Sequence, residues 1–552
     1  MFSFFKRSEK SKSDDPFSNL KTVSRWMQNL PTGDIFSAQE QVVKNLIQFN
    51  HAGLPLSKER LQILMLLDEH ARDMQFSLCL QYLRNPRMSK AMESKLWAAV
   101  RAYYWEITRG YHSFLRDFVA APGGSKIQQH IPVIAARAIR GFADTFKWRY
   151  FRYERVEEKL WQRVHNIYRI AEFDGFKSNR FKIYEHEAEQ SSCMDEYVRA
   201  LLLCPIGSGS LTPRQIEMVN DWLSNWAGFV QVDTVYEPAR HAFLVDTSSG
   251  QGMRRIRANT GTESVYRYIS TDRLIQHLDH IESELRSGTA PASLGLGEEF
   301  RLPDGYGLLA FVRKEWATTS DLERRTTPRT VDEGRCEVVR DLENICQRIL
   351  ANPSATSTPD ATQTTSPTEV LDKHFYIRAS DRPQAPAHPQ EDADVERWIV
   401  RDRSESGLGL AIKSDQIEWI KIGKLIGLRM NPNAPWQVAV VRRMSRIEKG
   451  WLHIGVQLLP NTPEIATLNN VKEASHLGYA GDGGDAIAFS QAMPVLVFAA
   501  GSHTPSIILE PARYAHGRQY RLSYQGSTLD IRLESILEKG DGWLMAAYLP
   551  LA

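Results

Sequence analysis

The sequence predicts a multidomain protein with an α-helical N-terminal region, an α+β middle region, and a C-terminal antiparallel β-barrel followed by a second small β domain. Three observations predict it. The chain has 552 residues, well beyond the roughly 250–300 at which a single core stops growing. Its apolar spacing passes from helical to mixed to strand-like. Residues 351–369 contain no Lys, Arg, aromatic or branched aliphatic side chain, a composition that cannot bury enough surface to order itself.

Residues 1–36 read as a disordered or extended tail, and residues 37–200 as a helical domain. Ser37 and Glu40 form a capping-box pattern ahead of Val42, Val43, Leu46 and Ile47. Ser57 likewise precedes Leu61, Ile63, Leu64, Leu66 and Leu67. Two long aromatic-rich helical stretches follow, Leu96 to Phe118 and Phe142 to Phe173. Polar turns at Asn85-Pro86 and Ala121-Pro122-Gly123-Gly124 suggest antiparallel packing. The aromatics are assigned to the core and the Arg/Lys residues to the outer face.

Residues 201–350 read as an α+β domain. Thr212-Pro213 opens a helix through Ile216, Val219, Trp222 and Leu223. Strand-like pieces surround the Pro238 turn, and a further helix spans Thr271 to Leu285. Glu299–Leu302 and Tyr306–Arg313 read as short strands, and the last helix as Glu337–Leu350. Residues 351–370 form a disordered linker. Beyond it, 371–460 carry strand segments with turn signals about every ten residues, as in a small barrel, and 461–552 form a second β-rich domain with five more strand candidates.

Composition narrows the function. The formal charge of +2 excludes a globally basic nucleic-acid coat, so no DNA or RNA partner is expected. Five scattered cysteines form neither a disulfide framework nor a zinc pattern. His277 and His280 read as helix histidines, so no metal is expected. The N-terminus places its apolar cluster before its charges, the reverse of a signal peptide. No apolar run reaches the ~20 residues of a membrane span. A cytoplasmic protein without a transmembrane segment is expected. The Gly-rich strings at 207–210 and 481–485 lack the Lys-Ser/Thr of a phosphate loop. No combination of catalytic motifs appears, so the chain is read as no enzyme, with no catalytic residues.

One constellation carries chemistry. Asp402-Arg-Ser404-Glu-Ser-Gly407 lies between two strand-like segments, and Arg378-Ala-Ser-Asp-Arg382 stands upstream of it. Here the sequence resembles the PilZ domain family, receptors of the bacterial second messenger cyclic di-GMP, whose motifs RxxxR and (D/N)xSxxG occur in this order. IKIGKLIGLRM resembles the strand after the motif strand, and WQVAVVRR and GWLHIGVQLL the last two barrel strands. The resemblance covers about 375–459 and implies a PilZ-like barrel with cyclic di-GMP as ligand and no cofactor. The family has its first barrel strand after RxxxR, where this sequence has the Pro-rich PQAPAHPQEDAD; HFYIRA is an alternative first strand. A second RxxxR, Arg397 to Arg401, lies on the motif strand itself.

A cyclic dinucleotide presents phosphates, base faces and base edges. Arg supplies a fork for phosphate oxygens and a plane that stacks on a base. By resemblance, Arg378 and Arg382 take these roles. Asp402 can accept from guanine N–H groups, Ser404 can meet a base edge or hold the loop, and Gly407 allows a close approach. Arg401, Arg403 and Arg443 are additional candidates. From Lys373 to Leu459 there are 14 Lys and Arg against 10 Asp and Glu, a modest local excess of cations. The leading expectation is a receptor that passes nucleotide binding to an unidentified protein partner through the helical region. The alternative is an adaptor with a degenerate barrel that binds no nucleotide.

Overall fold

The computed structural model describes residues 16–31, 33–53, 55–85, 88–121, 127–207, 209–257, 261–301, 304–318, 330–332, 334–351, 394–413, 419–446, 450–459, 464–470, 493–498, 504–524 and 527–551. The chain divides into two units: 1–326 with 445–447, and 327–444 with 448–552.

The first unit is mainly helical. Its helices are α1 (Leu20–Gln28), α2 (Ile35–His51), α3 (Lys58–Arg84), α4 (Lys90–Ala120), α5 (Ile131–Tyr150), α6 (Glu158–Phe173), α7 (Cys193–Ile206) and α8 (Pro213–Trp226). A small antiparallel sheet of order β1-β4-β2-β3 follows, formed by β1 (Gln231–Asp233), β2 (Phe243–Asp246), β3 (Arg254–Arg255) and β4 (Tyr266–Ser270). Then come α9 (Asp272–Arg286) and α10 (Gly305–Trp316). One apolar cluster runs through all of this, so the expected helical and α+β regions share a single core.

Helix α5 is its axis. Arg137, Arg140, Asp144 and Lys147 lie buried among its apolar residues. Each cation is paired: Arg137 with Glu69, Arg140 with Glu187 and with Glu196 at 2.6 Å, and Lys147 with Glu217 at 2.9 Å. An unpaired charge here would cost several kcal/mol, by the general order of such penalties.

Several sequence expectations shift. Helix α2 starts at Ile35, with Asp34 accepting from the Ser37 backbone N–H at 3.0 Å, because an Asp side chain three residues earlier already satisfies the first turn. The stretch 142–173 is two helices, parted by a turn in which Tyr153 adopts φ 60°. Residues 305–316 are helical: Leu308, Leu309, Val312 and Trp316 share one buried face at helical spacing. The caps expected at Ser57 and Thr212 are present, the latter as a full capping box.

The second unit holds two barrels. The first comprises β5 (Thr330–Val331), β6 (Arg335–Arg340), helix α11 (Leu342–Ala351), β7 (Glu396–Ser404), β8 (Gly407–Lys413), β9 (Leu425–Arg429), β10 (Gln437–Ser445) and β11 (Trp451–Leu458). The order is β5-β7-β6-β9-β10-β11-β8, and β7 pairs back to β8, which closes the ring. The second is a closed ring β12-β13-β14-β17-β16-β15, built from β12 (Glu464–Asn470), β13 (Met493–Phe498), β14 (Ser506–Leu509), β15 (Gln519–Tyr524), β16 (Ser527–Gly540) and β17 (Trp543–Pro550). A joint core contains Ile345 and Cys346 of α11, Leu425 and Val438 of the first barrel, and Leu496, Ile508 and Trp543 of the second.

This changes the expected start of the barrel. Residues 337–340, read as the head of a helix, belong to β6, which pairs with both β7 and β9. Asp341, at φ 66°, turns the strand into α11. The first barrel strand therefore precedes the Ser/Thr/Pro-rich stretch, and the barrel begins at 330–335 and not at 371. Alternation of Cys336 and Val338 is the local strand signal, but Glu337 to Leu350 also satisfies a helical period, and only pairing with distant strands separates the two.

Candidate functional site

The motif Asp402-x-Ser404-x-x-Gly407 occupies the β7–β8 hairpin. Ser404 and Gly407 face each other, leaving Glu405 and Ser406 as a two-residue turn. The Ser404 hydroxyl donates to the Gly407 carbonyl at 3.1 Å, so its observed role is to hold the loop. Gly407 meets a neighbouring strand: a Cβ there would lie 2.4 Å from the Val456 carbonyl oxygen. A side chain would push β8 off β11, against which Gly407 pairs at Gln457.

The register slips by one residue between Val400 and Asp402, making Arg401 the extra residue of a β-bulge. A bulge re-aims the side chains after it. Trp398 and Val400 point into the barrel and are fully buried, whereas Asp402 pairs with Gly409 on the outer face. Gly409 in turn pairs with Gly455 of β11, and the position a Gly455 Cβ would take is 3.3 Å from Arg443 Cβ. On the other side of Asp402 stands Val331, its partner in β5, 83% exposed. Val331, Asp402, Gly409, Gly455 and Arg443 thus form a row across the outside of the barrel, to which the two glycines add no side chain of their own. Arg401, Arg403 and Arg443 are all exposed. On this face Asp402 can accept hydrogen bonds from a ligand's N–H groups, and Arg443 can donate to an anionic one.

Of the residues expected in the site, Asp402, Ser404, Gly407, Arg401 and Arg403 come together on the hairpin, and Arg443 lies across the glycines. Arg378 and Arg382 lie outside the described residues, as do HFYIRA, the linker 352–370 and the Gly-rich string at 481–485. Arg397 is exposed on β7. Among the described residues no group of His, Cys, Asp and Glu could hold a metal ion, and no helix is long and apolar enough to cross a membrane. His277 stacks on Phe229, with ring centroids 4.2 Å apart.

A second arginine pair escaped the sequence reading. Arg325-Thr-Thr-Pro-Arg329 has the same four-residue spacing and runs directly into Thr330. Thr330 pairs with Arg403 and Val331 with Asp402, and the Asp332 N–H donates to the Arg401 carbonyl at 3.1 Å. The signal was available: the family's arginine motif precedes the first barrel strand, and that strand is β6. It was obscured because 337–340 read as the head of a helix. Arg325 and Arg329 themselves lie outside the described residues.

Comparisons with known proteins agree with this layout. Residues 21–238 match the family model described as the N-terminal domain of the cyclic-di-GMP receptor FimW, and residues 343–464 match its middle PilZ domain. The second match starts within α11, C-terminal to β6, whereas β6 pairs with both β7 and β9 of the barrel. The cyclic-di-GMP receptor FimW of Pseudomonas aeruginosa is 21% identical over 500 residues, covering 83% of this chain and 80% of that protein. A solved structure titled MrkH, a c-di-GMP dependence transcription regulatory factor, aligns over 28% of this chain and 72% of its own at 6% identity. Its TM-score is 0.13, too low to carry a structural likeness.

Proposed function

We propose that this chain, in which residues 343–464 are a PilZ domain, is a cytoplasmic, non-enzymatic receptor for cyclic di-GMP that passes nucleotide binding to a partner protein through its helical region. The observation that carries the reading is the pairing of β5 with the motif strand, Thr330 against Arg403 and Val331 against Asp402. It ties the chain leaving Arg329 to the edge of the DxSxxG hairpin. In this reading Arg325 and Arg329 supply the phosphate forks and a stacking plane, while Asp402 accepts from a guanine edge on the outer face. Arg378 and Arg382 are the competing pair. They lead into the start of β7 at Glu396, about 20 Å of strand from Asp402 at the usual rise per residue.

The relative named as a cyclic-di-GMP receptor supports the ligand class. The partner is assigned to the helical unit, which exposes Phe76 (62%) and Phe173 (92%). The test is titration calorimetry of the full chain with cyclic di-GMP. Saturable heat that Asp402→Ala weakens by roughly tenfold or more, the order of a lost hydrogen bond to a charged group, supports the reading. No heat from folded wild-type protein at tens of micromolar ligand, taken here as a rough ceiling for a signalling receptor, overturns it.

A further inference from the structure

Outside the six-residue motif, Gly409 lies directly against the Asp402 side chain. A Cβ built on Gly409 would lie 2.6 Å from one Asp402 carboxylate oxygen, 2.7 Å from the other and 2.7 Å from the carboxyl carbon. The three near-equal distances place the carboxylate flat over the Gly409 backbone, in the space a side chain would fill. The opposite side is bounded by Val331, the partner of Asp402 in β5.

We infer that Gly409 is a positioning residue for ligand binding: its missing side chain sets where the Asp402 carboxylate lies and which way its oxygens face. The inference rests on the cyclic di-GMP reading above and deepens it. An alanine at 409 forces the carboxylate to rotate toward Val331 or outward to solvent. The obstructed group is the end of a short side chain and not backbone, so the barrel is hardly strained while the acceptor geometry is lost. Gly407 is the contrast, since its absent Cβ would strike the backbone oxygen of Val456. The bulge at Arg401 and the gap at Gly409 act on the same carboxylate, one by turning it onto the outer face and the other by leaving room for it there.

The experiment is calorimetric titration of the full chain with cyclic di-GMP for wild type, Gly409→Ala, Asp402→Ala, the double variant, and Gly409→Ala with Asp402→Glu, with thermal melting of each. Gly409→Ala is expected to melt like wild type and to weaken binding by roughly tenfold, as for loss of a charge-assisted hydrogen bond. The double variant is expected to bind no worse than Asp402→Ala alone, because a residue acting through Asp402 has nothing left to position. Asp402→Glu, whose longer side chain clears the new methyl, is expected to recover part of the loss. Binding by Gly409→Ala equal to that of wild type, losses that multiply in the double variant, or an unfolded Gly409→Ala would each overturn the inference while leaving the receptor reading standing. Absence of binding by folded wild type would overturn both.

Discussion

Val331 and Asp402 face each other across β5 and β7. The pairing joins a strand N-terminal to the Ser/Thr/Pro-rich stretch to the motif strand C-terminal to it. It decides which upstream segment enters the barrel beside the DxSxxG hairpin.

The first prediction separates the two arginine pairs. Arg325→Ala with Arg329→Ala is expected to lower cyclic di-GMP affinity by roughly a hundredfold, the order of two charge-assisted contacts. Arg378→Ala with Arg382→Ala is expected to leave it within about threefold, less than one such contact is worth. Calorimetry on the full chain checks both, and the reverse ranking would return the ligand arginines to 378 and 382.

Gly407→Ala is expected to destabilise the barrel by about 2 kcal/mol, the usual scale for forcing extra volume against fixed backbone, and to lose binding with it. Denaturant unfolding monitored by Trp fluorescence reads this out. A fully stable Gly407→Ala would remove the Val456 carbonyl as the reason for glycine at this position.

Trp543, 1% exposed in the joint core of the two barrels, donates its Nε1–H to the Gly423 carbonyl at 2.8 Å. That carbonyl also accepts the Asp541 N–H at 3.0 Å, so Trp543→Phe leaves it a partner and is expected to cost about 1–2 kcal/mol. Trp543→Ala opens a cavity as well, at about 3–5 kcal/mol. Thermal melting distinguishes them.

Acid acts on the helical unit through buried groups that pull in opposite directions. His165 is buried, bonded to the Tyr197 hydroxyl and the Gln251 carbonyl at 2.8 Å each, and burial lowers its pKa to about 4. The unfolded chain therefore binds a proton that the folded chain refuses, and stability falls as pH drops from 6.5 toward 4. Glu196 is fully buried, yet Arg140 overcomes that burial and holds it at about 2, so its contribution is lost between 4.5 and 2. Each amounts to at most about 3 kcal/mol at full titration. Asp221 runs the other way. Burial, then Glu217, raise it to about 7, so it lowers stability as pH rises from 3.8 to about 7. Between pH 7 and 4 the Asp221 gain offsets the His165 loss, so relative to wild type the His165→Gln urea midpoint should shift toward greater stability on acidification; an unchanged pH dependence would remove His165 as a source.

The helices and the hairpin were legible because their signals are local. Ser57 and Thr212-Pro213 cap where their side chains predict, and the alternation through Trp398 and Val400 up to a two-residue turn marks a hairpin without reference to anything distant. The bulge was not legible. Asp402 continues the alternation of Trp398 and Val400, so by spacing alone it should face the core, and only the one-residue slip at Arg401 turns it outward. Gly409 went unread for a related reason: its partner is set by register, which sequence spacing does not state.

By itself, the sequence determined the hairpin chemistry, Asp402, Ser404 and Gly407 on one tight turn, and the family resemblance that those residues carry. Tertiary structure decided which strand closes the barrel and hence which arginines precede it. Residues 337–340 satisfy both a strand and a helical period, and a strand becomes one only through hydrogen bonds to its neighbours. Those neighbours, β7 and β9, lie on the far side of the Ser/Thr/Pro-rich stretch, beyond the reach of any local pattern.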